Sequence, residues 1–411
     1  MRDREYSAYL LLNAPGFGAK SIFYIYESLR KAGLKINDLF EQSITQLSNL
    51  FPEIGQGRFS KASVTSLLNL DDDKRYSSYQ KLKKENVHLI GLDDERYPRL
   101  LISRLGENTP PVLFCKGYLP LLNSDSISIV GSRDVSEFGI KITKRIANRL
   151  AGSGYNVSSG FAKGVDTSAH IGALENHGTT TMVLSYGFNY LSVKKEIKEF
   201  DWERNTLFIS QFMPYEKFSG QNAMTRNKLV CALSQAVIVI SSGPERDSSG
   251  KMSGTFDAGL TALKYKIPLF VLNPSLLNPN PPQGNIDLIK LGGISLSNGD
   301  ELVQSLGAIT TEHITAFEPA KTGHPELSIK SPQTNLQPQR ANTEDIKGKI
   351  LSVFNGKPLS INDIIEQAHL NWTTTKLSSY LKKVDEIELV KKGRSNFYKR
   401  KASQQQTQLF V

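Results

Sequence analysis

The alternation of apolar and polar positions divides the chain into successive regions. Up to about residue 85 the pattern is helical, and Gly16-Phe17-Gly18 sits between apolar stretches in the segment Leu10–Lys20. Such a turn suits a helix-hairpin-helix, whose exposed backbone N–H groups at a helix N-terminus take a phosphate. It equally suits a plain helix–turn–helix packing unit. From about 86 to 306 strand-like and helix-like patterns alternate. Strands are predicted at Ser126–Val130, Tyr155–Ser158, Thr180–Leu184, Leu207–Ser210, Ala236–Ile240 and Pro268–Leu272. Helices are predicted at Phe138–Ala151, Val165–Asn176, Thr225–Ser234 and Phe256–Tyr265. This order argues for an α/β protein with a Rossmann-like, doubly wound parallel sheet. Residues 307–342, rich in Thr, Pro, Gln, Asn and Ala, read as a flexible linker. In 343–401, helices are predicted at Ile346–Phe354, at Ile361–Ala368 capped by Ser360, and from Thr373 to about Val384. A basic hairpin over Glu388–Arg400 follows, so the unit reads as a winged helix; 402–411 is a polar tail.

Composition narrows the class. The 411 residues suffice for two to four domains. Apolar runs such as Ala236–Ile240 and Pro268–Leu272 are strand-length, far short of the roughly 20 residues of a membrane span. No apolar segment with a cleavage site follows the charged start Met1–Glu5, so a cytoplasmic protein without membrane contact is expected. Cys115 and Cys231 are too few and too far apart for a disulfide framework or a zinc site, and the six histidines show no ligand spacing. No metal or cofactor is expected. The net charge of +10 favours a polyanionic partner, since each neutralised phosphate releases counterions.

Four loop segments carry candidate chemistry. Gly131-Ser132-Arg133 follows a strand and precedes a helix, where close backbone approach, a hydroxyl and a bidentate guanidinium suit a phosphate. Ser159, Gly160, Lys163 and Gly164 lie in a second strand-to-helix loop at the C-terminal sheet edge, where open α/β sheets bind ligands. Asp166 is placed to cap the next helix, and His170 reads as a packed residue. Thr225-Arg226-Asn227-Lys228 brings two cations and an amide to a predicted helix start, and Ser253-Gly254-Thr255 is a fourth junction with an N-cap at Ser253. In the C-terminal unit Lys376, Lys382, Lys391, Lys392 and Arg394 concentrate charge on the third helix and the hairpin. That suits contact with duplex DNA, or a protein-binding module with a solvated basic face. Gly250-Lys251-Met252 lacks the Ser or Thr and the upstream glycine of a P-loop.

Taken with Tyr97-Pro98, Pro110-Pro111, Ala169-His170 and Ala232-Leu233-Ser234, the four loops resemble the DprA/Smf family of DNA-processing proteins in their order and spacing. The resemblance covers somewhat under half of the chain. It implies a non-enzymatic binder of single-stranded DNA, a homodimer that hands its strand to a RecA-type recombinase. It assigns the DNA pocket to Gly131, Ser132, Arg133, Ser159, Gly160, Lys163, Gly164, Arg226, Asn227, Lys228, Gly254 and Thr255. It also implies an N-terminal SAM or helix-hairpin-helix-like domain over 1–85 and a C-terminal winged helix. The chain departs from the family at Ala223-Met224-Thr225-Arg226-Asn227-Lys228, where an aromatic residue and a second arginine are usual, and at the insertion-like Pro244–Lys251. Two further functions stay open. One is a regulator or antitoxin in a phage-defence locus. The other is a nucleotide-processing enzyme of the same superfamily, for which Asp257 is the acid nearest the usual catalytic glutamate.

Overall fold

The computed structural model describes residues 3–51, 61–70, 73–200, 202–277, 279–297 and 301–306, then 350–354, 358–368, 374–381, 384, 387–392 and 395–400. The chain forms two compact units, Met1–Pro319 and Ala320–Val411.

The larger unit is built on nine strands: β1 (His88–Gly91), β2 (Val112–Gly117), β3 (Ser126–Val130), β4 (Asn156–Ser159), β5 (Thr180–Val183), β6 (Thr206–Ser210), β7 (Ala236–Val239), β8 (Leu269–Leu272) and β9 (Ile294–Leu296). They lie in the order β1-β2-β6-β5-β4-β3-β7-β8-β9. From β6 to β9 all neighbours are parallel. The predicted parallel sheet is therefore present, but β2 joins it antiparallel to β6 and β1 antiparallel to β2. The central parallel strands β3, β7 and β8 are buried from end to end, as the unbroken apolar runs of β7 and β8 require when helices cover both faces. Alternation along the strands separates two cores. Ile127, Ile129, Ile238 and Phe270 pack with Ile146 and Leu150 of helix Glu137–Gly152 on one face. On the other face Val237, Val239, Leu269 and Val271 pack with Leu229 and Val230 of helix Gly220–Ala232 and Phe256 of helix Gly254–Lys264.

From β3 the chain winds outward through β4, β5 and β6, then returns to place β7 on the other side of β3. The switch point between β3 and β7 is where open α/β sheets leave a crevice beyond their strand ends. Helices Arg4–Leu12, Ala19–Lys31 and Asp73–Lys84 bring Leu10, Leu11, Ile25, Tyr26 and Tyr79 into the same core as Leu89 and Ile90 of β1. The Glu5 carboxylate also accepts from the Leu89 N–H at 3.3 Å, and Asp93 accepts from the Ile36 N–H at 3.1 Å.

In the smaller unit, helices Ile361–Gln367 and Thr374–Leu381 enclose Ile364, Leu377 and Leu381 with Ile387 and Tyr398. A three-stranded antiparallel sheet runs β10 (Leu359–Ser360), β12 (Ser395–Arg400), β11 (Ile387–Lys392). Ser360 accepts from the Asp363 N–H and caps its helix as predicted. Lys376 falls in the second helix and Lys391 and Lys392 on β11, but their side chains lie outside the described residues. Lys382, Arg394, the linker 307–342 and the tail 402–411 lie outside them entirely.

Candidate functional site

A crevice of 680 Å³ opens at the switch point. One wall is Gly131, Ser132, Arg133 and Asp134 after β3; another is Gly160, Ala162 and Asp166 after β4; Phe218, Met224, Arg226 and Asn227 come from the helix before β7 and its approach. Gly243, Pro244, Asp247 and the run Lys251–Thr255 complete it. Three helices place first-turn residues in its lining, Asp166, Gly220 and Gly254 with Thr255, behind the N-caps Gly164, Ser219 and Ser253. Their positive ends and first N–H groups favour an anion there.

Backbone contacts lock the loops together. The Ser132 N–H donates to the Ser241 carbonyl at 2.8 Å across the switch point, and the Ser132 hydroxyl accepts from the Asp134 N–H at 3.1 Å. Gly164 turns with φ +79°, and a side chain there would press on the Arg133 carbonyl. Behind the loop, His170 is fully buried: Nε2 donates to the Gly160 carbonyl at 2.5 Å, and Nδ1 faces the Thr180 hydroxyl at 2.7 Å. Burial pulls its pKa down to about 3, so it is a neutral strut. Lys194 is a second strut. Its ammonium donates to the Phe161 and Ala162 carbonyls at 3.2 and 2.9 Å and to the Thr167 hydroxyl, 4.6 Å from the Phe161 ring centroid. It lies in a stretch without periodicity and gives no sequence signal.

The structure sorts the predicted site residues into two groups. Gly131, Ser132, Arg133, Gly160, Arg226, Asn227, Gly254 and Thr255 line the crevice. Ser159, Lys163, Gly164 and Lys228 are not among the lining residues. The Ser159 hydroxyl donates to the Ile129 carbonyl between strands, Lys163 pairs with Asp134 at 3.1 Å on the exposed rim, and Lys228 is exposed.

Arg226 is placed differently from the expectation. Its helix starts at Gly220, because the Ser219 side chain accepts from the Asn222 N–H, so Arg226 stands in mid-helix instead of at a helix start. The guanidinium is 5% exposed, donates to the Val183 carbonyl at 2.9 Å and lies 3.8 Å from the Asp166 carboxylate. A side chain at position 160 would collide with it. Its Nε finds no acceptor among the described residues, and burial lowers its pKa, with Asp166 opposing the shift. Asp166 therefore does not cap its helix; it accepts from the Ala162 N–H at 3.3 Å and balances Arg226. Asn227 donates to the Gly254 carbonyl at 2.8 Å and ties two walls together.

Two features of the crevice escaped sequence reading. Phe218 supplies an aromatic surface from five residues upstream of Ala223, with the Arg133 guanidinium 5.5 Å from its ring centroid. The insertion at 244–251 is a tight hairpin: Arg246 bridges Met252, and the Ser253 N–H donates to the Glu245 carbonyl at 3.0 Å. Asp257 is not among the lining residues; burial raises its pKa and Lys228 opposes the shift.

These features define a Rossmann-like α/β protein with an anion-binding crevice at the switch point of its sheet. Residues 88–307 match the family described as DNA recombination-mediator protein A, and the chain belongs to that family, DprA/Smf. It is 27% identical to protein Smf of Synechocystis sp. over 301 residues, 69% of this chain and 73% of that one. It is 29% identical to protein Smf of Escherichia coli over 227 residues, 55% of this chain, and so spans only 58% of that relative's length. The X-ray structure of DNA processing protein A from Streptococcus pneumoniae superposes with a TM-score of 0.58 at 24% identity, over 74% of this chain and 98% of that one, a likeness of fold. No described helix is long and apolar enough to cross a membrane.

Proposed function

We propose that this chain is a non-enzymatic binder of single-stranded DNA that holds the strand by its phosphates in the switch-point crevice. The three helix N-termini that reach the crevice, together with Ser132, Arg133 and Asn227 in its lining, carry this reading. Lys163 and Lys228, exposed outside the crevice, offer further cations to the strand, while Ser159 and Gly164 shape the loop. The family's role as a recombination mediator supports protection of the strand and its transfer to a RecA-type recombinase, by a homodimer in the cytoplasm. We assign residues 1–85 to a helical SAM or helix-hairpin-helix-like domain, 86–306 to the family core and 343–401 to a winged helix that adds duplex contact.

Arg133→Ala tests the crevice, because Arg133 is at the surface and its loss leaves the fold intact, whereas Arg226 is buried structure. Binding to fluorescent oligo-dT is measured across a salt series. The variant is expected to bind more weakly, with a log K against log [salt] slope shallower by about 0.7, the share of one phosphate on a single strand. Unchanged affinity and slope would overturn the assignment.

A further inference from the structure

Resting on that reading, the manner in which Arg133 is held carries a further step. Arg226, the other arginine of the lining, is committed to the Val183 carbonyl and Asp166, so the crevice depends on Arg133 for a free guanidinium. Arg133 is exposed, and the carboxylate next to it, Asp134, pairs with Lys163 instead. Among the described residues the Arg133 guanidinium has no ion pair or hydrogen bond; its neighbour is the Phe218 ring, 5.5 Å away at the centroid. That ring is placed by a built turn. The Pro214 carbonyl accepts from the Asn189 N–H at 3.0 Å, and the Glu216 carbonyl from the Gly187 N–H at 2.8 Å. The Met213 N–H donates to the Glu216 carboxylate at 2.9 Å, and the Asn222 amide to the Lys217 carbonyl at 3.3 Å. A side chain at position 187 would run into the Met213 and Pro214 carbonyls, so glycine is what lets the two segments meet. Phe218 then directly precedes the N-cap Ser219.

A carboxylate in place of the ring would neutralise the guanidinium and occupy its donors, and an arriving phosphate would have to displace it. An aromatic face attracts the cation through its quadrupole but has no charge and no oxygen acceptor. The guanidinium therefore keeps its charge and its N–H donors for a phosphate. We infer that Phe218 is a positioning residue for the phosphate contact, its ring holding the Arg133 guanidinium at the crevice before the strand arrives. Binding then does not have to order a long, free side chain. The role belongs to the π-face of the ring rather than its bulk, and it runs through Arg133.

The test uses the full-length protein and a fluorescent abasic deoxyribose-phosphate strand, which offers phosphates but nothing for a ring to stack on, across a salt series that starts low. Wild type is compared with Phe218→Leu, Phe218→Tyr, Arg133→Ala and the Phe218→Leu/Arg133→Ala pair. Phe218 is about half exposed, so leucine leaves the fold intact. Phe218→Leu is expected to bind about threefold more weakly, the share of one exposed cation–π contact. Its salt slope stays that of wild type, because the bound strand still meets Arg133. Phe218→Tyr keeps the π-face and binds as wild type does. In the Arg133→Ala background Phe218→Leu changes nothing further. A Phe218→Leu variant that binds as tightly as wild type, a loss that tyrosine does not restore, or a loss of the same size in both backgrounds overturns the positioning role and leaves the phosphate reading in place. Arg133→Ala without effect on affinity and slope, or no binding of this strand by wild type, removes the phosphate reading, and this one with it.

Discussion

The Gly160 carbonyl, one layer beneath the crevice, is held by a histidine that stays neutral down to about pH 3. In the unfolded chain the same imidazole takes up its proton near 6.5. His170 therefore costs nothing in pH dependence above 6.5. As pH falls from 6.5 toward 3 the unfolded state binds the proton first, and stability declines by up to about 1.4 kcal/mol per pH unit. His170→Gln keeps an amide donor for the carbonyl and removes the titration. The variant is less stable at pH 7, and its deficit relative to wild type is expected to shrink by about 2 kcal/mol at pH 5 in urea unfolding. A constant deficit would mean that the imidazole is not held neutral. The packed role of His170 was legible from its place inside a predicted helix. That of Arg226 was not, because its partner carbonyl at Val183 and its balancing Asp166 come from distant parts of the chain. Composition shows a cation, not which way it faces.

Among the elements, β3, β4, β7 and β8 and the helices between them were readable: β7 and β8 leave the unbroken apolar runs of strands buried on both faces, and amphipathic helices leave a stripe. The early start at Gly220 was missed because Gly220–Thr225 carries no apolar stripe; the Ser219 cap sets it. β1, β2 and β9 were missed as well, since three to six residues at a sheet margin give too short a pattern. Asn285 shows how the elements around the crevice are fixed. Fully buried, it accepts from the Ser242 N–H at 2.8 Å and donates to the Ile240 and Leu272 carbonyls at 2.9 Å, bracketing the ends of β7 and β8. Asn285→Ala strands these buried groups and is expected to cost at least about 3 kcal/mol in urea unfolding. Leu272→Val, nearby but apolar, is the comparison, with a loss of about 1 kcal/mol.

On the scale of the whole molecule, the two units divide the proposed work. Deleting 343–411 is expected to reduce affinity for a duplex while oligo-dT binding persists, measured by anisotropy on matched strands. Loss of both together would place the single-strand site outside the crevice. The larger unit also carries a history in its topology. β2 pairs with β6, so that Phe114 waits for Ser210. During synthesis roughly a hundred residues, on the order of ten seconds of translation, separate the emergence of these partners. Until then Phe114, Cys115, Lys116 and Gly117 have no partner strand on that side. The nascent chain therefore passes through an interval in which a sticky margin is open to other chains, and the time spent there depends on the speed of the ribosome.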